Sequence, residues 1–348
     1  MLILCRLEEK KLKTGVAVCT FNGSTFILDQ LESIFHQTMK ADIVCIYDDA
    51  STDDTFDKVV KFCEGKPSWN CLQRSKNVGY RKNFELSITE TPCDLLFFSD
   101  QDDLWYPNKI ETMVQYLKIN PEVQLLFSKA DTIDGNGKKL KDSTEKHFQI
   151  NPHVKKCFNN TLDSFQFFLR RNVLTGATMV ARRNNLRECI PFSPLLVHDH
   201  WIPLWLSAMD NKIAYISTST MAYRIHSLQQ LGVGSKKKGM TLREWWAQRN
   251  LVLQEILTRL NGALLSNERK QVLKNLVENE KFLDRGHFYS LFLREAIRKQ
   301  SRYIRIVLTI KFLLSGRYGR ITSYRYYSKS KTILETIKYA LRDAFYYL

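Results

Sequence analysis

Phe97-Phe98-Ser99-Asp100-Gln101-Asp102-Asp103 decides how this chain is read. The apolar run Leu95-Leu96-Phe97-Phe98 stops abruptly at three carboxylates within four positions. A buried strand cannot carry that charge inward without a partner. The acids therefore belong at the strand's carboxyl end, where an α/β sheet opens its binding crevice. Asp100 and Asp102 stand two apart, close enough to face one divalent cation together. Oxygen ligands suit Mg²⁺ or Mn²⁺, ions commonly held by one or two carboxylates plus substrate phosphates. The competing reading of so short a motif is a solvated acidic turn, and the rest of the chain decides between them.

Upstream, short apolar strands alternate with helical periodicity. Residues 15–20 read as a buried strand, followed by the turn Phe21-Asn22-Gly23-Ser24 and a helix over 26–38. Residues 42–47 form a second strand ending at Asp48-Asp49, and the cluster at 50–54 caps a helix over 55–63. A weaker strand at 71–74 leads through Asn77-Val78-Gly79 into a helix over 80–88, and 94–99 is the strand of the opening motif. This alternation predicts a mainly parallel, doubly wound, Rossmann-like α/β sheet flanked by helices. Asp134-Gly135-Asn136-Gly137 is a hairpin signal, and the polar stretch from there to Pro152 reads as a loop.

Three predicted strands thus end in polar groups: Thr20 with Asn22, Asp48 with Asp49, and Asp100 with Asp102. Parallel strands put their carboxyl ends on one edge of the sheet, so groups distant in sequence converge in one cleft. That convergence favours a ligand site over a solvated turn.

These residues resemble glycosyltransferase family 2, whose members have the GT-A fold. The resemblance rests on Val18-Cys19-Thr20-Phe21-Asn22-Gly23, on Gln30 to Ile34 with Gln37-Thr38, on Tyr47 to Thr55, on Asn77-Val78-Gly79 with Asn83, and on Phe98 to Trp105 with Pro107 and Lys109. It covers about residues 14–115 in the family's order. Later pieces are Thr175-Gly176-Ala177, His198-Asp199-His200-Trp201 and Tyr223-Arg224-Ile225-His226. Ser-Asp-Gln-Asp-Asp-Leu-Trp is most similar to bacterial rhamnosyltransferase-type members.

The resemblance implies an inverting, metal-dependent transferase. Its donor would be a nucleoside-diphosphate sugar, with dTDP-rhamnose the best match. Its acceptor would be a hydroxyl of a surface polysaccharide or of a saccharide carried on polyprenyl diphosphate. Thr20, Asn22, Asp48, Asp49, Asn77, Asp100 and Gln101 are expected to bind the donor. Asp102 and His226 are expected to hold the metal. Asp199 is expected to act as general base, by match to the family's acidic base position, since an ionised carboxylate can take the acceptor's proton once aligned; the competing reading, not exclusive of the first, is that it caps the helix it opens. Trp201 is expected to stack on the acceptor sugar or to join the core. Arg81 and Lys82 read better as a solvated helix face than as phosphate contacts.

Charge divides the chain of 348 residues and net charge +16. From Lys236 to Leu348 there are 24 Lys+Arg against 9 Asp+Glu, while residues 1–235 are close to neutral. The expected organisation is a tail at 1–13, a GT-A domain at 14–230, a basic Gly-rich linker or lid at 231–240, and a basic helical region at 241–348. Helical segments are expected at 241–260, 267–286 and 290–315. The basic region, with tyrosines interleaved among Lys and Arg, suits an anionic membrane surface. It carries no nucleic-acid-binding motif. The eight cysteines contain no CxxC pair, which disfavours a zinc ribbon and fits a reducing compartment. The opening apolar stretch is too short for a signal peptide, and no apolar run reaches the ~18–20 residues that span a bilayer. The expected location is cytoplasmic, peripheral on the inner face of the plasma membrane. Two alternatives stand beside this reading. A sugar-phosphate nucleotidyltransferase would need a Gly-rich, basic triphosphate loop that residues 20–24 lack. A non-enzymatic basic adaptor would need none of Asp49, Asp102 and Asp199.

Overall fold

The computed structural model describes residues 11–169, 171–227 and 229, with 251, 254–255, 258–259 and 265–274. Two compact units divide the chain, Met1–Arg269 and Lys270–Leu348. Every element named below belongs to the first. In the second, residues 270–274 are described and are helical. The expected linker at 231–240 and most of the expected helices beyond it lie outside the described residues.

Four strands build the Rossmann-like half: β1 (Thr14–Thr20), β2 (Ile43–Asp48), β3 (Trp69–Gln73) and β4 (Leu95–Ser99). They run parallel in the order β3-β2-β1-β4. All residues of β1 and β4 are buried, as central parallel strands covered on both faces require. Between them run α1 (Ile27–Phe35), α2 (Thr55–Cys63) and α3 (Tyr80–Glu90). The inward face of α1 is Ile27, Gln30, Leu31 and Ile34, the i, i+3, i+4, i+7 spacing of an amphipathic helix. This helix stops three residues before the sequence predicts. Thr38 N–H donates to Pro107 O at 2.8 Å and the Gln37 amide to Tyr106 O at 2.8 Å, which draws the chain off the helix axis.

The second half extends the same sheet. After β5 (Leu104–Trp105) and α4 (Lys109–Ile119) come β6 (Val123–Asp134), β7 (Lys139–Ser143), α5 (Thr144–His147), α6 (Pro152–Lys156), α7 (Thr161–Phe168), β8 (Met179–Arg182), α8 (Arg183–Arg187), α9 (His198–Ala208) and β9 (Lys212–Ile225). The full order is β3-β2-β1-β4-β8-β6-β9-β5, with β7 on β6. Strand β8 inserts antiparallel between β4 and β6, and β9 runs parallel to β6. The hairpin at 134–137 forms as its sequence predicts, with the Asp134 carboxylate accepting Asn136 and Lys138 N–H, each at 2.9 Å. The stretch to Pro152 is not a loop, however. It holds β7 and α5, because β6 offers a free edge and Ser143 caps α5 by accepting Lys146 N–H.

Past the expected linker, described residues pack against the first unit's own elements. Arg259 donates to Pro191 O at 2.7 Å and stacks over the Trp201 ring at 5.2 Å. Arg269 binds Asp210 at 2.7 Å and Ser207 O at 3.2 Å, at the end of α9.

Candidate active site

Short β5 creates the site. Asp100 to Asp103 leave β4, and the chain is caught at once by pairing of Leu104 with Ala222 on β9. Two residues further along β9 stands Arg224, and just past its end His226. The acidic turn is thereby stitched to the last strand. Arg224 is 2% exposed. Its N–H donates to Asp103 Oδ1 at 2.9 Å, its Nε to Asp102 O at 2.7 Å and its Nη1 to Gly135 O at 3.0 Å, while its guanidinium lies 4.6 Å over the Phe26 ring. With those donors committed, Arg224 is a brace for the turn.

His226 Nε2 meets Asp102 Oδ2 at 2.8 Å, and its ring packs on Phe26 at 4.6 Å. His226 Nδ1 is buried and has no hydrogen-bond partner among the described residues. The pair supplies one imidazole nitrogen and one carboxylate oxygen, a donor set that fits Mn²⁺ or Mg²⁺ when phosphate oxygens complete the shell. Among the described residues, no cluster of three or more His, Cys, Asp or Glu could hold a metal by itself.

The neighbouring acids sit in an unusual field. Burial pushes the Asp100 carboxyl up to about 7, the charges of Asp102 and Asp199 push it further, and Lys109 opposes them. Burial likewise raises Asp103, 1% exposed, well above the usual carboxylate range, with Asp102 and Asp100 adding to the shift. Under them lies Lys109, fully buried, donating to Ala177 O and held 3.8 Å over the Trp105 ring. Burial pulls its ammonium down to about 7, against the pull of Asp103 and Asp100. Its sequence signature, a lysine two past Pro107 in an apolar helix, gives no hint of this depth. Tyr223 is raised too, by burial first and then by Asp103, Asp100, Asp102 and Asp199.

Asp199 lies in the first turn of α9, whose N-cap is Val197. It therefore does not cap that helix. Its Oδ1 accepts the Asn172 side-chain amide at 3.0 Å, and its charge is felt at Asp100, Tyr80 and Tyr223. A carboxylate nearly a hundred residues downstream of the acidic turn thus contributes its charge to the same field.

Several residues expected to bind the donor also brace the loops around it. Asp48 is fully buried and accepts from Thr20 Oγ1 at 2.7 Å, Ser51 N at 2.8 Å, Ser51 Oγ and Gln73 Nε2 at 3.1 Å. Those four donors occupy the oxygens of Asp48, which leaves it shaping the turn, with Thr20 among its partners. Gln101 brackets the first turn, its Oε1 accepting Phe21 N–H at 2.8 Å and its Nε2 donating to Phe21 O at 3.0 Å. Gly23 leaves room for this bracket, since a Cβ there would fall 2.1 Å from Gln101 Oε1 and displace the amide. Asp49 accepts Val78 and Gly79 N–H at 2.7 and 2.8 Å, and Asn77 donates to Asp49 O at 3.2 Å. These two lock the Asn77–Gly79 loop, where Gly79 takes a positive φ of 84°. Asn22, also at positive φ (48°), is exposed and anchored by Thr52 N–H at 2.9 Å.

Trp201 is a clear correction. It is 1% exposed, donates to Cys189 O at 2.8 Å and packs on Trp205 at 5.4 Å. Its position four residues from Trp205 on α9 puts it on the core face, out of an acceptor's reach. Arg81 and Lys82 bind Pro194 O and Glu85, consistent with a helix surface. The residue before Asp199 was missed by sequence reasoning. His198 is 6% exposed, stacks on Phe84 at 4.2 Å, and finds no partner for either ring nitrogen among the described residues. Burial pulls its pKa down to about 3. Gly176 makes room for it, since a Cβ there would lie 2.4 Å from His198 Nε2.

Comparison with known proteins meets this geometry. Residues 15–178 match the family model described as Glycosyl transferase family 2. The chain is similar to the dTDP-rhamnosyl transferase RfbG of Shigella flexneri, 28% identical over 249 residues, covering 66% of this chain and 80% of that one. It is also similar to the UDP-Glc:alpha-D-GlcNAc-diphosphoundecaprenol beta-1,3-glucosyltransferase WfgD of Escherichia coli, 24% identical over 232 residues, covering 66% and 83%. Among solved structures it shares its fold with the mannosyltransferase PcManGT from Pyrobaculum calidifontis, in complex with GDP-Man and Mn²⁺. The TM-score is 0.52 at 16% identity, covering 97% of this chain and 88% of that one.

Proposed function

The chain belongs to glycosyltransferase family 2 and has the GT-A fold, and from that premise we propose an inverting, metal-dependent transfer of a sugar from a nucleoside-diphosphate donor. The observation that carries this reading is the meeting of Asp102 with His226 at 2.8 Å in the same electrostatic field as Asp199. Asp102 and His226 would hold Mg²⁺ or Mn²⁺. When bound, that ion neutralises charge on the departing diphosphate.

The chain's own residues do the rest. Asp199 accepts the proton of the acceptor hydroxyl as its oxygen bonds to the anomeric carbon. The bond from that carbon to the diphosphate oxygen breaks, and its electron pair leaves with the nucleoside diphosphate. Attack from the face opposite the leaving group inverts the anomeric centre. Asp49, Asn77 and Asn22 shape the loops that would take the nucleotide, and Asp100 would stand by the ribose and diphosphate. Arg224 and Lys109 hold the acidic turn in place.

Rhamnose from dTDP-rhamnose is the favoured donor, supported by the Ser-Asp-Gln-Asp-Asp-Leu-Trp sequence and the similarity to RfbG. The favoured acceptor is a saccharide on polyprenyl diphosphate in surface-polysaccharide assembly, supported by the similarity to WfgD. The basic stretch from Lys236 to Leu348 suits the anionic inner face of the plasma membrane. Among the described residues no helix is long and apolar enough to cross a membrane. Calorimetric titration of dTDP, UDP and GDP, each with and without Mn²⁺, tests the donor reading. Tightest Mn²⁺-dependent binding of dTDP supports it. Binding that ignores Mn²⁺ contradicts the metal role, and a preference for UDP or GDP contradicts the rhamnose assignment.

A further inference from the structure

The loop between α7 and β8 carries a side chain whose polar contacts among the described residues are made to Asp199 and to its own turn. Asn172 Nδ2 donates to Asp199 Oδ1 at 3.0 Å and to Leu174 O at 3.1 Å, while its Oδ1 accepts Leu174 N–H at 2.9 Å. The backbone N–H of Leu174 can only donate. It therefore fixes which end of the amide is oxygen, and the NH₂ end has to face the carboxylate. The amide cannot turn over without setting its oxygen against Asp199 and its NH₂ against an N–H.

Four residues on, the same loop passes Gly176, whose missing Cβ admits the His198 ring. One short segment thus fixes the first turn of α9 twice, by a hydrogen bond to Asp199 and by steric fit to His198.

We infer that Asn172 is a positioning residue for the transfer step, aiming the Asp199 carboxylate at the acceptor hydroxyl through the Nδ2–Oδ1 hydrogen bond. This rests on Asp199 being the base. A donated hydrogen bond favours the ionised carboxylate, the form a base must hold. It also removes rotational freedom from χ2 of Asp199, a proximity effect. Among the described residues, the groups facing Asp199 include the N-terminus of its own helix, His198 and His200 beside it, Tyr80 on α3, Asp100 after β4 and Tyr223 on β9. None of these changes in the test below.

The informative variant is Asn172→Asp. It keeps the acceptor for Leu174 N–H, which anchors the turn, gives up the weaker bond to Leu174 O, and replaces the donor facing Asp199 with a second anion. Assayed as release of dTDP or UDP from dTDP-rhamnose or UDP-glucose, whichever the wild type consumes, kcat should fall about 10–100-fold, the range seen when groups orienting a reacting residue are lost. The donor KM and the melting temperature should stay close to wild type. The acid limb of the kcat profile should move to higher pH, because a like charge disfavours ionisation of Asp199. Combined with Asp199→Asn, the substitution should add little further loss, as for two residues acting as one unit. An unmoved acid limb with wild-type turnover overturns the inference. So does a loss matched by weakened donor binding and lowered melting temperature, which marks a purely structural residue. Activity in Asp199→Asn alone would instead remove the base assignment on which it rests, and that outcome is separable.

Discussion

Asp102 and His226 stand 124 positions apart and meet at 2.8 Å. Nothing local to either residue produces this. It follows from β5 pairing with β9, which ties the acidic turn to the far end of the sheet. If the pair holds a metal together, removing either member should have the same effect. Asp102→Asn and His226→Ala should each weaken Mn²⁺-dependent nucleotide binding in calorimetry by about 10-fold or more. The double variant should lose little beyond either one. Additive losses would mean the two act separately.

His198 should make stability acid-sensitive. Its folded-state pKa, about 3, lies below the ordinary histidine value of 6.5. Between those values the unfolded chain binds a proton that the folded chain refuses, so stability falls as pH drops from 6.5 toward 3. Each pH unit across the window costs about 1.4 kcal/mol. In His198→Phe, which keeps a ring stacked on Phe84, the pH slope of unfolding free energy should shrink by about one proton. An unchanged slope in urea titrations at pH 4, 5 and 6 would count against it.

Gly176→Ala should harm both fold and turnover. The new methyl would meet His198 Nε2 at 2.4 Å, and that ring is wedged among aromatics with nowhere to move. Overpacking of this kind costs about 1–3 kcal/mol, read as a lowered denaturation midpoint. The first turn of α9 should shift with it and carry Asp199 off line, lowering kcat.

Trp201→Phe separates core from acceptor site. It removes the indole hydrogen bond to Cys189 O and leaves that buried carbonyl unpaired, a loss of about 1–3 kcal/mol in stability. Acceptor KM should stay unchanged. A raised acceptor KM with full stability would restore the stacking role.

Much of the site was legible because strand ends are legible. An apolar run cut off by Asp100 announces where the sheet opens, and parallel alternation puts Thr20, Asp49 and Asp100 on one edge. Which of those carboxylates would meet a ligand was not legible, because hydrogen-bond saturation depends on neighbours chosen by the turn. Asp48 and Asp49 are adjacent and chemically identical, yet Asp48 is consumed by Thr20, Ser51 and Gln73 whereas Asp49 grips the Val78 and Gly79 amides. Trp201 followed the same logic, since its aromatic and polar parts are satisfied equally by a sugar or by Trp205 and Cys189. Lys109 and Asn172 carry no periodic signal at all. Their roles come from the crossing of α4 with β9 and of the 171–178 segment with α9, contacts that only the folded chain creates.

The central claim is that Asp199 takes the acceptor's proton. The most direct measurement is to compare Asp199→Asn with wild type for donor binding and for turnover on the same sample. Asparagine keeps the size of the side chain and can still pair with Asn172, but it has no carboxylate to accept a proton. The account predicts nucleotide affinity in the presence of Mn²⁺ within about two-fold of wild type and turnover reduced by about 10²-fold or more. Turnover near the wild-type rate would contradict it.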